Sequence, residues 1–246
     1  MKRLMVTLVV TGAVAVPALQ AAFTGTLKLA SGPYQVNPGG EFTVTETGPL
    51  ASPFQTFCTE RSEYLAFGQQ YDYRINSGAV QGSGLAGGAD TFDPNTLLRM
   101  DTISIGTAYL YSQFRLGTLA GYNVDRAASA AALQNAIWKL EGEAGSLDGK
   151  IGGPAGLTVS QILYYKFGGD LTLWDNNASF AEYGVVALNL FNGGAESQDV
   201  VNENGVHYRV NQDVLGMVPE PSTMIAGVLL LLPFGASTLR ILRRKA

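Results

Sequence analysis

The chain has one cysteine and one histidine among its 246 residues. A single cysteine excludes an internal disulfide, so the thiol is free, joined to another molecule, or used in another covalent bond. The two residues together cannot supply the several His or Cys ligands of a typical zinc site. His207 has no Gly-x-Ser-x-Gly nucleophile elbow to serve, and it reads as a surface or half-buried histidine on a hairpin strand. P-loop and dinucleotide fingerprints are absent. Charge is scarce as well, with 15% charged residues and a formal net charge of −4, so there is no basic stripe for nucleic acid. Asp90 and Asp93 lie in a Gly-rich stretch without EF-hand or nonapeptide spacing and read as solvated loop acids. Glu141 and Glu143 would turn apart on a helix and make a poor glycosidase pair. No catalytic residue, metal ligand or cofactor is assigned on these grounds, and the chain does not read as an enzyme.

Long hydrophobic runs are confined to the two ends. Met1-Lys2-Arg3 is a basic start, Leu4 to Val16 an apolar core, and Ala18 to Ala22 a mostly small-residue stretch. This is the pattern of a secretory signal peptide over 1–21, although cleavage after Ala21 leaves Leu19 where a small residue is preferred. At the other end, Pro219-Glu220-Pro221 precedes an almost wholly apolar run from Met224 to Leu239, and then Arg240, Arg243, Arg244 and Lys245. The run is slightly shorter than the roughly 20 residues of a comfortable membrane span. The basic cluster would hold the terminus in the cytoplasm and leave Pro-Glu-Pro outside. The proline pair keeps the motif extended and open to an enzyme.

This tripartite tail, residues 217–246, resembles the PEP-CTERM sorting signal. The resemblance implies recognition by an exosortase and removal of a helix that crosses the membrane transiently through 224–239. Transfer to the cell surface or an exopolysaccharide matrix would follow. Signal peptidase would act at the front end. Residues 22–216 remain as the working domain.

Within that domain, Phe23 to Leu29 and Glu41 to Glu46 alternate as half-buried strands do, with Gly39-Gly40 read as a turn. Phe54 to Leu65 and Tyr71 to Ile75 are also strand-like, and Ser77 to Asp93 reads as a long loop. Helical spacing then appears over Thr102–Leu116, from Asp125 or Ser129 through Glu141, over Ser160–Phe167, and over Asn177–Leu190 closed by Gly193-Gly194. Val200-Val201 and Val206 to Val210 flank Asn204-Gly205, a hairpin signal. The expected fold is α+β: N-terminal antiparallel strands, a central helical block and returning C-terminal strands. No solenoid repeat is present.

Two short segments carry the chemistry. Cys58 sits in Phe57-Cys58-Thr59-Glu60, in a strand-like stretch. Gln134 sits in Gln134-Asn135-Ala136-Ile137-Trp138. On a helix, Leu133, Ile137 and Leu140 form one apolar stripe, with Ala130, Gln134 and Trp138 beside it, so the glutamine is partly enclosed by an alanine and a large aromatic. An aromatic-Cys pair with a downstream Gln-x-Ala-Ile-Trp resembles the thioester domains of bacterial surface adhesins. In that family the cysteine thiol and the glutamine side chain condense, with loss of ammonia, to an internal thioester. The matching positions are Phe57, Cys58, Gln134, Ala136, Ile137 and Trp138. Leu133 stands where the family has threonine, and Thr59 where it often has tyrosine.

The resemblance implies an exported, exosortase-processed adhesin that bonds amines or hydroxyls on a target, such as an exopolysaccharide or surface protein, through a Cys58–Gln134 thioester. The alternative is a passive envelope or biofilm-matrix protein in which Cys58 is a free buried thiol, since cysteine packs as a small hydrophobe.

Overall fold

The N-terminal strands pair in antiparallel order: β1 (Thr24–Val36), β2 (Gly39–Glu46), β3 (Phe54–Thr56) and β4 (Gln70–Asn76). A computed structural model describes residues 24–36, 39–48, 50, 53–80, 90–170, 172–193 and 197–218. The segment 1–21, expected as a signal peptide, and the Pro-Glu-Pro motif and apolar run from Pro219 onward lie outside the described residues. Among the described residues, no helix is long and apolar enough to cross a membrane.

β4 is followed by three short strands, β5 (Gly78–Val80), β6 (Thr91–Phe92) and β7 (Arg99–Thr102), which form a separate sheet in the order β5-β7-β6. Two helices come next, α1 (Ile105–Arg115) and α2 (Arg126–Leu140). A small hairpin, β8 (Lys150–Ile151) with β9 (Leu157–Thr158), leads into α3 (Val159–Lys166). Three strands then return: β10 (Val185–Phe191), β11 (Gln198–Val201) and β12 (His207–Met217). The main sheet has the order β11-β12-β10-β4-β1-β2-β3, so its first and last strands in sequence meet through β4 and β10. The architecture is α+β, dominated by this antiparallel sheet.

The sheet also closes on itself. Beyond β3, the Thr59 N–H donates to Asp213 O at 3.1 Å and the Leu215 N–H to Phe57 O at 3.1 Å, with Cys58 opposite Val214. These bonds use the edge of β12 that β10 leaves open, and they make the sheet a small barrel. Its interior is apolar, with Leu27, Leu29, Tyr71, Tyr73, Leu188 and Val214 in one buried cluster. Closure removes a strand edge that would otherwise be open to pairing with other chains. On the outer wall, the β5–β7 sheet is pinned by the Asp213 carboxylate. Asp213 accepts from Val80 N–H at 2.6 Å, Leu190 N–H at 3.0 Å and Asn189 Nδ2 at 2.7 Å.

The helices share a second core with Phe57, Val185 and Leu215 from the strands. Each helix begins at a side-chain cap: Ser104 accepts from Thr107 N–H, Asp125 from Ala128 N–H, and Thr158 with Gln161 forms a capping box. Glu141, just past α2, receives Ser104 N–H, Ser104 Oγ and Thr107 Oγ1 and so ties the end of α2 to the start of α1.

Four local expectations change. Residues 177–190 do not form an α-helix: only a short 3-10 turn spans Glu182–Gly184, and β10 runs on from Val185. All seven residues of β10 are buried, one face in the barrel and the other beneath the outer elements. Such a strand shows no alternation, and its apolar run cannot be told from a buried helix by periodicity. The Phe54–Leu65 stretch keeps strand form only over β3 and the bridge at Cys58. Part of the Ser77–Asp93 loop is strand, as β5 and β6, while 81–89 lie outside the described residues. Asp93 is buried: it accepts from Asn95 N–H at 3.1 Å and Thr96 N–H at 3.2 Å, and faces Arg74 at 3.9 Å. The Asn204-Gly205 hairpin joins β11 to β12, and His207 lies exposed on it with Asp199 at 2.9 Å.

Candidate functional site at Cys58 and Gln134

Cys58 and Gln134, 76 positions apart in sequence, meet at the contact between the barrel and α2. The Gln134 carboxamide is closed on the backbone of Cys58. Oε1 accepts from Cys58 N–H at 3.0 Å, and Nε2 donates to Cys58 O at 2.9 Å. A further donor, Gly40 N–H, reaches Oε1 at 3.1 Å. Two N–H groups on one atom and a carbonyl on the other fix which end of the amide is oxygen, because the flipped carboxamide would set N–H against N–H. Gln134 is 2% exposed and Cys58 3%.

The helix spacing explains the placement. Leu133 and Ile137 enter the helical core with Ala136, while Trp138 turns to the barrel core that also holds Cys58. Gln134 lies between these two sets. Phe57 and Cys58, adjacent on an extended chain, face opposite ways. The Phe57 ring packs edge-on against Phe114 at 5.1 Å in the helical core, so Trp138, not Phe57, shares the enclosure of the thiol. The outer face of Trp138 is covered by Arg61, whose guanidinium lies 5.5 Å from the ring centroid and donates to Ala144 O at 2.7 Å.

Gly39-Gly40, expected as a turn, are the first two residues of β2 and pair with Val36 and Gln35. Their lack of side chains serves close approach. A Cβ at Gly39 would stand 2.6 Å from Gln134 Cγ and 2.7 Å from Trp138 Cη2. Gly40 holds φ at 123°, a backbone angle that residues with a Cβ rarely adopt. The next residue, Glu41, is wholly buried and takes Arg126 Nε at 3.1 Å, Arg126 Nη2, and the Tyr122 hydroxyl at 3.1 Å. None of these groups stands out in the sequence, since two glycines and a glutamate before a strand are common turn chemistry.

A cluster of carboxyl groups lies close by in the chain and the fold, with Glu63 acting on the thiol. Glu60, Glu63 and Glu143 are all buried. Burial, foremost, and then the charge of Glu63 push the Cys58 thiol far above its ordinary value. Glu60 is likewise held well above the usual carboxylate range, first by burial, then by Glu63, and then by a hydrogen bond with Glu143. Tyr64 is exposed, and Glu141 belongs to the α1–α2 tie, so neither lies at the Cys58–Gln134 pair. A separate cleft of about 570 Å³ opens on the outer barrel wall beside Arg74, Phe191 and Tyr208, and neither Cys58 nor Gln134 lines it.

The arrangement offers a thiol and a carboxamide enclosed together, with the amide oriented by three backbone hydrogen bonds. Comparison with protein-family models, curated proteins and solved structures finds no match.

Proposed function

We propose that this chain is an exported surface or extracellular-matrix protein that fastens itself covalently to a target through an internal thioester between Cys58 and Gln134. The observation that carries the reading is the closure of the Gln134 carboxamide on the Cys58 backbone in a buried site. A buried glutamine needs partners for its polar atoms, but any backbone would serve that need. Here two of the three partners are the polar backbone groups of the one cysteine in the chain.

The reaction balances without a cofactor. The Cys58 sulfur adds to Gln134 Cδ and the S–Cδ bond forms. The Cδ–Nε2 bond then breaks, and the thiol proton leaves with the nitrogen as ammonia. The product is a stronger electrophile than an amide, because sulfur donates less to the carbonyl and the thiolate leaves readily. Enclosure beside Trp138 limits hydrolysis until another nucleophile arrives. A lysine amine would yield an isopeptide bond and a sugar hydroxyl an ester, with Cys58 released as a thiol. The bond forms once, so the chain is a fastening device and not a turnover enzyme.

Delivery rests on the two ends of the sequence. The basic-apolar start calls for signal peptidase. Pro219-Glu220-Pro221, the apolar run and the basic stop call for an exosortase, which would leave the domain on the surface or in an exopolysaccharide matrix. A second reading is favoured by the environment of the thiol. Cys58 lies among apolar side chains with its ionisation suppressed, which suits an inert packed cysteine in a passive matrix protein.

Intact mass of the purified mature chain separates the two. The thioester protein is one ammonia lighter than its sequence and takes up methylamine at Gln134. Cys58→Ala and Gln134→Ala each have full mass and take up none. Wild type at full mass, with a titratable thiol after unfolding and no methylamine uptake, sinks the thioester reading in favour of the passive one.

A further inference from the structure

We infer that the backbone N–H groups of Gly40 and Cys58 form an oxyanion hole on Gln134 Oε1, aimed by Gly39 and by the clamp of Glu41 with Arg126 and Tyr122. The inference rests on the thioester reading above and gives that site its catalytic groups. When sulfur adds to Cδ, the carbonyl electron pair moves onto Oε1, and it does so again when an outside amine adds to the finished thioester. Stabilising charge at that atom therefore speeds both closing and opening.

The resting geometry already sets both donors on the atom that takes the charge. In the resting carboxamide the donors stand 3.1 Å and 3.0 Å from Oε1, and the oxyanion forms on this same atom, where donors act at about 2.7–3.1 Å from its final position. Gly40 belongs to β2 and Cys58 to the bridge opposite Val214, so both donors are held by backbone pairing, and both lie in a buried site, where each hydrogen bond is electrostatically stronger. The third bond, from Nε2 to Cys58 O at 2.9 Å, holds the departing nitrogen in place. Gly39 lets β2 press against α2 closely enough for the Gly40 N–H to reach the carboxamide.

The clamp fixes the lengthwise position. Arg126 and Gln134 lie on one helix, eight positions or roughly 12 Å apart. The neighbouring residues Glu41 and Gly40 are bonded to them respectively. β2 is thus held to α2 at two points, and a slip of one residue would carry the Gly40 N–H away from Oε1. The role of Arg126 is positioning, since it touches neither reacting atom.

The test follows ammonia release as chains recovered unfolded are refolded, for wild type, Gly39→Ala and Arg126→Lys. Gly39→Ala, whose Cβ would overlap Gln134 Cγ and Cδ, is expected to close about 100-fold more slowly, the loss typical of one missing oxyanion-hole donor. Arg126→Lys keeps the charge and loses the fork, and should fall between the two. An infrared measurement on wild type with 13C at Gln134 Cδ does not depend on how the variants fold. The native thioester carbonyl should absorb at lower wavenumber than the same thioester in a short peptide in aprotic solvent. Wild-type closure rates in a folded Gly39→Ala, or a native band at the unbonded position, overturn the oxyanion hole while leaving the thioester standing. Absence of ammonia loss from wild type overturns the thioester itself.

Discussion

Arg126→Ala is expected to destabilise the folded chain by about 3 kcal/mol, the lower end of what removing one partner of a buried ion pair costs. Glu41 is the reason. Its side chain is 1% exposed, and both its oxygens are taken by the Arg126 fork. Without the guanidinium, the carboxylate keeps only the Tyr122 hydroxyl. Arg126 itself is 30% exposed, so water admitted at the vacated place offsets part of the loss. The guanidinium also covers Tyr34 at 4.7 Å from the ring centroid, which adds lost packing to lost charge. Urea unfolding midpoints measure the effect. The double replacement Glu41→Leu with Arg126→Leu should recover most of the stability, because no unpaired charge stays buried. A double variant as unstable as Arg126→Ala would show that packing of the arginine stem, and not the abandoned carboxylate, dominates.

Stability is expected to fall as pH rises from about 4.5 to 9, contrary to the usual behaviour of a chain whose carboxylates are salt-bridged. Glu141 is raised from 4.5 to about 7, mainly by burial, against the opposing hydrogen bonds of Thr107 and Ser104. Asp101 is raised from 3.8 to about 7 by burial and then by Glu141. Glu60 is raised above both. In the unfolded chain all three ionise near their ordinary values. Between those values and the raised ones the folded state holds more protons, so the slope of unfolding free energy with pH is negative. The stabilising contribution is whole below about pH 4 and is lost as pH climbs through each folded value. Each group adds up to about 1.4 kcal/mol per pH unit while it is protonated in the folded state alone. Glu60→Gln, which keeps a neutral hydrogen-bonding side chain beside Glu143, should flatten the slope and raise stability at pH about 8–9 above wild type. Melting temperatures across that range, in one buffer system at constant ionic strength, read both effects. A variant with the wild-type slope would place the pH dependence elsewhere.

The cluster also bears on the thiol. Burial and then the charge of Glu63 raise the Cys58 thiol, which favours its protonated form.

Much of this molecule is legible in one dimension. Amphipathic spacing and caps placed α1, α2 and α3 to within a few residues, because a helix facing one core must repeat its apolar positions. The Asn204-Gly205 signal placed the last hairpin because its turn geometry is local. The pairing of a lone cysteine with Gln134 was readable as a motif, and the expected partial enclosure of Gln134 is a burial to 2% exposure.

Other features depend on what packs on what. β10 reads as helix because both its faces are covered, and its partners β4 and β12 lie far from it in sequence. Barrel closure rests on three residues after β3 meeting β12, a contact across more than 150 positions that leaves no local pattern. Gly39 and Gly40 look like a turn, and only the approach of α2 shows them to be a place where a Cβ would not fit. The acids depend on packing too: Asp93 looks solvated in the chain and is buried in the fold, bonded to Thr96 N–H, and Glu60 is buried with its proton more firmly held. Composition and spacing by themselves determined the fold class, because periodicity and residue type are properties of the chain, and Cys58 and Gln134 stood out by their resemblance to a motif. The donors on the Gln134 oxygen and the direction of each carboxyl's proton equilibrium were decided by tertiary structure alone, because a backbone N–H has no letter in the sequence and desolvation exists only after folding.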